Sequence, residues 1–81
     1  MWYVYALKSE ANGELYIGMS ENPENRLIQH NSGMTNSTKS FRPYKIIFKK
    51  LCASRIEARS QEKYYKSGCG REFLKKLSDP R

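Results

Sequence analysis

The sequence is poor in the residues that build most metal and disulfide scaffolds. It has one histidine and two cysteines. Cys52 and Cys69 fit no zinc spacing, and His30 alone cannot complete a usual zinc set. Small secreted scaffolds carry more cysteine than this, so the pair reads as free thiols of a cytoplasmic protein. Long apolar runs are missing too: no stretch approaches the roughly 18 residues of a membrane-spanning helix. The apolar start from Met1 to Leu7 has no basic flank and soon meets Lys8 and Glu10, which argues against a signal peptide. A chain of 81 residues leaves room for one domain with a thin core. We assign it to residues 1–78, with 79–81 as a tail. An enclosed cofactor pocket does not fit such a core, whereas a shallow cleft for a long polymer does.

What is present is positive charge, unevenly spread. The net charge is +7. Residues 1–34 hold Lys8 and Arg26 against Glu10, Glu14, Glu21 and Glu24. Residues 35–81 hold thirteen lysines and arginines against Glu57, Glu62, Glu72 and Asp79. A basic half of this kind fits a polyanion, nucleic acid being the commonest, and equally a plain solvated surface.

Local patterns divide the chain. Trp2–Leu7 is rich in aromatic and branched residues and reads as a strand. Ala11-Asn12-Gly13 is a turn, and Leu15–Gly18 a second strand, so the two form a hairpin. Asn22 caps a helix with Pro23 at its first position, Ser20 being a competing cap. That helix runs through Arg26, Leu27, Ile28 and His30 to Gly33, with Leu27 and Ile28 expected to face inward. Residues 32–42 are a long polar loop. Tyr44–Phe48 is a third strand. Ser54 with Glu57 forms a capping box for a second helix ending near Lys66, and Gly70–Leu77 is a third. The order is β-β-α-β-α-α, an α/β (α+β) class.

Several residues stand out within this frame. Tyr5 and Tyr16 lie on paired strands and are within reach of each other, although strands favour aromatics anyway. Arg26 and His30 share one helix face, where they are catalytic candidates or ordinary solvated residues. Glu62 shares a face with Ala58 and Tyr65 and needs a partner there, because burying an unpaired charge is costly. A metal ion or a salt bridge to Arg59 or Lys66 would supply one. Gly18 either permits a close backbone approach or ends its strand.

The order Tyr3-Val4-Tyr5, then Tyr16-Ile17-Gly18, then Arg26 and His30, then Glu62 resembles the GIY-YIG nuclease family over nearly the whole chain. The segment Lys66–Leu74 is similar to the ending of its small stand-alone members. The resemblance implies a small, three-stranded, mostly antiparallel sheet flanked by helices. It implies a metal-dependent endonuclease that hydrolyses phosphodiester bonds in DNA with low intrinsic sequence specificity. Tyr5 would be the general base or position the attacking water, and Tyr16 would share its network. Arg26 would hold the scissile phosphate, His30 would bond to the phosphate or the first tyrosine, and Glu62 would ligate one Mg2+ or Mn2+. Tyr3 stands in place of the first motif's glycine, and Met19 where many members are basic. No late asparagine matches the family's.

This chemistry is sensible for a phosphodiester, which needs a nucleophile in line, a Lewis acid and cationic stabilisation. Tyr5 is its strained point, because a free phenol with a pKa of ~10 is a poor base at neutral pH unless cations lower that value. Gly18, Thr38, Lys39, Arg42, Lys45 and Arg71 are the candidate nucleic-acid contacts. A partner protein would supply further specificity. The competing expectation is a nucleic-acid-binding domain of the same fold with weak or no catalysis, and a third is a protein-interaction module.

Overall fold

Side chains that alternate along a strand need both sheet faces covered if neighbours in sequence are all buried. Val4, Tyr5, Ala6 and Leu7 are all buried, which marks their strand as central. The computed structural model describes residues 1–33 and 40–78. In it β1 (Trp2–Ser9) lies between β2 (Leu15–Ser20) and β3 (Tyr44–Cys52), antiparallel to both. The helices are α1 (Pro23–Asn31), α2 (Arg55–Lys66) and α3 (Gly68–Ser78). This is the expected order and the expected sheet.

The two sheet faces have different company. Val4 and Ala6 meet Ile17 and Cys52, and α2 and α3 close over them with Ala58, Tyr65 and Leu74. Tyr5 and Leu7 point the other way, toward Tyr44, Tyr16 and Ile46, and α1 covers them with Leu27. A bulge between Ala6 and Leu7 shifts the pairing from Ala6 opposite Phe48 to Leu7 opposite Ile46. The extra residue puts Tyr44 and Ile46 on the α1 face while Phe48 stays on the other.

Helix starts follow their caps. The Asn22 side chain accepts from the Asn25 amide at 3.1 Å, with Pro23 beginning α1. Ser54 accepts from the Glu57 amide at 3.1 Å and Glu57 accepts from Ala53, which ties off α2. A Cβ on Gly70 would sit 2.2 Å from the Tyr64 carbonyl oxygen, so only glycine lets α3 fold back against the end of α2.

Three expectations are corrected. Strand β3 runs to Cys52 rather than stopping at Phe48, because pairing with β1 continues to Trp2 opposite Cys52 and satisfies backbone groups whatever the side chains are. Helix α3 begins at Gly68 rather than Gly70. Ile28 is 66% exposed and does not face inward. The inward positions of α1 are Pro23, Leu27 and His30, one helical face, and Ile28 is turned off it.

Candidate active site

The hairpin register sets the site. Tyr5 lies opposite Gly18, and Leu7 opposite Tyr16, so the two tyrosines are diagonal neighbours on the α1 face. Gly18 does not end its strand, since β2 continues to Ser20. A Cβ there would lie 2.7 Å from the Tyr5 hydroxyl and 3.3 Å from the Tyr16 ring. The bare Cα therefore makes the space in which the Tyr5 phenol crosses β2 toward Tyr16. The close approach expected at Gly18 is made by Tyr5.

Helix α1 brings the next two groups from above. Arg26 and His30, one turn apart, face the tyrosines. The Arg26 guanidinium donates to Gln29 Oε1 at 2.8 Å and lies close enough to the Tyr5 hydroxyl to act on its ionisation. The His30 ring is fully buried, 4.6 Å from the Tyr16 ring and 6.1 Å from Tyr44. Burial, then the nearby Arg26 charge, push His30 below its usual range, so its imidazole is neutral at pH 7. Burial also raises Tyr5; the neighbouring Arg26 guanidinium pulls against this, while Tyr16 and Glu62 add to the rise. Tyr5 therefore rests as a neutral phenol, and Arg26 alone does not make it a base.

Glu62 stands on α2, in the other helical layer. Its side chain is 15% exposed, 3.3 Å from Lys66 and 3.9 Å from Arg59. Both partners named from the sequence are thus in place, and the carboxylate's charge is still felt at Tyr5. Among the described residues there is no cluster of three metal-ligating side chains. One carboxylate is a poor cage for zinc. It fits a hard ion such as Mg2+ or Mn2+, which keeps its waters and takes phosphate oxygens.

The remaining candidates are dispersed. Arg42 and Lys45 are exposed at the start of β3, Lys45 lying opposite Lys8. Arg71 sits on α3 and donates to the Lys66 carbonyl at 3.3 Å, capping α2. It is not gathered with the tyrosines. Thr38 and Lys39 lie outside the described residues.

Two residues went unnoticed in the sequence. Tyr44 is a third buried tyrosine of the cluster, raised by burial and by Tyr16 and Glu14. Asn31 holds it: its carboxamide accepts from the Tyr44 amide at 2.6 Å and donates to the Tyr44 carbonyl at 3.0 Å. The one sequence signal was a tyrosine opening a strand that follows a long loop.

Comparison with known proteins gives the family. Residues 1–75 match the family described as the GIY-YIG catalytic domain. The chain is 35% identical over 63 residues to a UPF0213 protein of Desulfotalea psychrophila, covering 75% of this chain and 56% of that one. It is 31% identical over 78 residues to a UPF0213 protein of Staphylococcus saprophyticus, covering 95% and 94%. A UPF0213 protein of Bacillus pumilus is 36% identical over 66 residues, 80% of this chain and 66% of that one. The chain thus spans just over half of the Desulfotalea relative and nearly all of the staphylococcal one.

Proposed function

This chain belongs to the GIY-YIG family of nuclease domains, and from that premise we propose that it is a metal-dependent endonuclease cutting phosphodiester bonds in DNA with little sequence preference. The observation that carries the proposal is the closed set Arg26–Tyr5–Gly18–Tyr16–His30, with the Glu62 charge in reach.

Exposure is the guide to the roles. Tyr5 is 1% exposed, which supports a place behind the substrate rather than against it. It is a positioning residue that holds the Arg26 guanidinium and packs the hairpin. Tyr16 is half-buried rather than enclosed; its hydroxyl aligns the attacking water through a hydrogen bond. Arg26, also half-buried, binds the scissile phosphate and offsets the charge that builds on its oxygens. Neutral His30 stacks beside Tyr16 and fixes its ring without adding repulsion to Arg26. Glu62 would hold a Mg2+ or Mn2+ ion, which supplies Lewis-acid stabilisation to the phosphate and the leaving oxygen. The attacking oxygen forms a new bond to phosphorus as the bond to the leaving sugar oxygen breaks. No helix among the described residues is long and apolar enough to cross a membrane, in keeping with a cytoplasmic setting. A partner protein or the shape of the DNA would choose the cutting point.

A second reading is a nucleic-acid-binding domain that does not cut. Met19 on β2 and the existing ion pairs of Glu62 favour it. The two are separated by incubating plasmid and branched DNA with Mg2+ or Mn2+. The proposal expects cutting that Glu62→Ala abolishes while binding persists. Cutting that survives Glu62→Ala overturns the metal role, and binding without cutting by the unaltered chain establishes the second reading.

A further inference from the structure

Helix α2 carries more cations than its own stability explains. Arg55, Arg59 and Lys63 recur every fourth residue and line, with Met19, Ile56 and Ser60, a cleft of about 440 Å³. Like charges at this spacing repel one another along a helix, so the repeat gains nothing for the fold. No carboxylate lines the cleft. Among the described residues Arg55 and Lys63 make no ion pair, and Arg59 has only a long one, 3.9 Å to Glu62. Arg55 rests over the Trp2 ring at 5.6 Å, which holds it at one end. The rest of the lining is partly apolar: Ile56, 84% exposed on the same helix, and half-buried Met19 of β2.

Resting on the nuclease reading, we infer that this cleft is a second binding track for the same substrate, taking the backbone of one nucleic-acid strand beyond the bond held at Arg26. Three observations carry it. The cations repeat every ~6 Å along α2, close to the separation of successive phosphates on a strand. Ile56 and Met19 offer an apolar surface against which sugar and base faces lie. The Arg59–Glu62 contact joins the track to the cleavage centre, so a strand leaving the centre passes Arg59 and then its helical neighbours. A membrane surface would also meet cations, but a single row of charges along one helix, set in a concave cleft, fits one extended chain better than a flat sheet of headgroups.

The test is the salt dependence of binding, read by fluorescence anisotropy of a fluorescein-labelled oligonucleotide, single-stranded and duplex, with EDTA present to stop cutting. Each phosphate contact contributes ~0.7–0.9 to the slope of log affinity against log salt. R59Q/K63Q removes two charges from the cleft. K75Q/K76Q removes two exposed charges from α3, outside it. The cleft variant is expected to lower the slope by about 1–2 and the other by under about 0.5. M19K, which adds a cation to the facing wall, is expected to steepen it. Equal slopes for the two double variants, with a steep slope in the unaltered chain, overturn the track and leave the nuclease reading standing. If the unaltered chain shows no salt-dependent binding, both fall. Tighter binding to anionic vesicles than to either oligonucleotide, lost in R59Q/K63Q, replaces the strand by a membrane and overturns the inference.

Discussion

The two faces of the sheet use neighbouring residues of one strand for different ends. Val4 and Ala6 disappear into an apolar layer with Ile17 and Leu74, where nothing but packing is asked of them. Tyr5, between them in sequence, goes to the α1 face, where the buried groups are phenols, an imidazole and a guanidinium partner. The first face can be changed only at a cost in stability. The second face buries polar groups at a cost in free energy, and the Asn31 carboxamide ties the Tyr44 backbone into it. The chemistry proposed for Tyr5, Tyr16, Arg26 and His30 accounts for that polar burial, whereas packing alone accounts for Val4, Ala6 and Leu74.

The contrast breaks most sharply at Arg26. Arg26→Ala should slow cleavage by at least ~10²-fold, as loss of a charge-stabilising donor does, with little change in melting temperature. A parallel loss of folding would move Arg26 to the structural side. The reverse holds at Leu74, which is fully buried: Leu74→Ala should cost about 2–5 kcal/mol in denaturant unfolding while the remaining folded protein still cuts. Gly18 sits between the two faces' behaviours. Gly18→Ala sets a methyl against the Tyr5 hydroxyl, so we expect a loss of about 1–3 kcal/mol together with a fall in cleavage of roughly tenfold or more from misplaced tyrosines. A stability loss with an unchanged rate would show that the tyrosine spacing does not matter.

The smaller effects are in pH and at the surface. His30 is depressed below its usual range, so the folded state binds its proton less well than the unfolded chain does. Its contribution to stability is therefore complete above the unfolded value of ~6.5 and is lost as pH falls from there toward the lower folded value. Urea unfolding from pH 7.5 downward should show this decline, and His30→Gln should flatten it. Least of all should Ile28→Ala matter, within about 0.5 kcal/mol, because the side chain is mostly in solvent.

Much of this was legible in the sequence where the cause is local. Asn12-Gly13 made the turn, Asn22-Pro23 started α1, and Ser54 with Glu57 started α2. The proposed site was legible as an order of residues, Tyr5, Tyr16, Arg26, His30 and Glu62, each unremarkable alone. What the sequence hid depends on pairing between distant segments. The bulge at Ala6 and Leu7 decides which β3 residues face α1, and no residue type announces it. Tyr44 joined the cluster for that reason, and the charged Lys49-Lys50 stretch joined a strand because β1 needed backbone partners. The difference in exposure between the two tyrosines, on which their proposed roles rest, was also hidden, since periodicity does not separate them.

The most direct measurement is the rate at which Tyr16→Phe and Tyr5→Phe nick supercoiled plasmid with Mg2+, beside their binding and melting. Tyr16→Phe keeps the ring against His30 and loses only the hydroxyl. The account predicts a fall of ~10²-fold or more for Tyr16→Phe, with binding and melting unchanged, and a smaller fall for Tyr5→Phe. Wild-type cutting by Tyr16→Phe would contradict it.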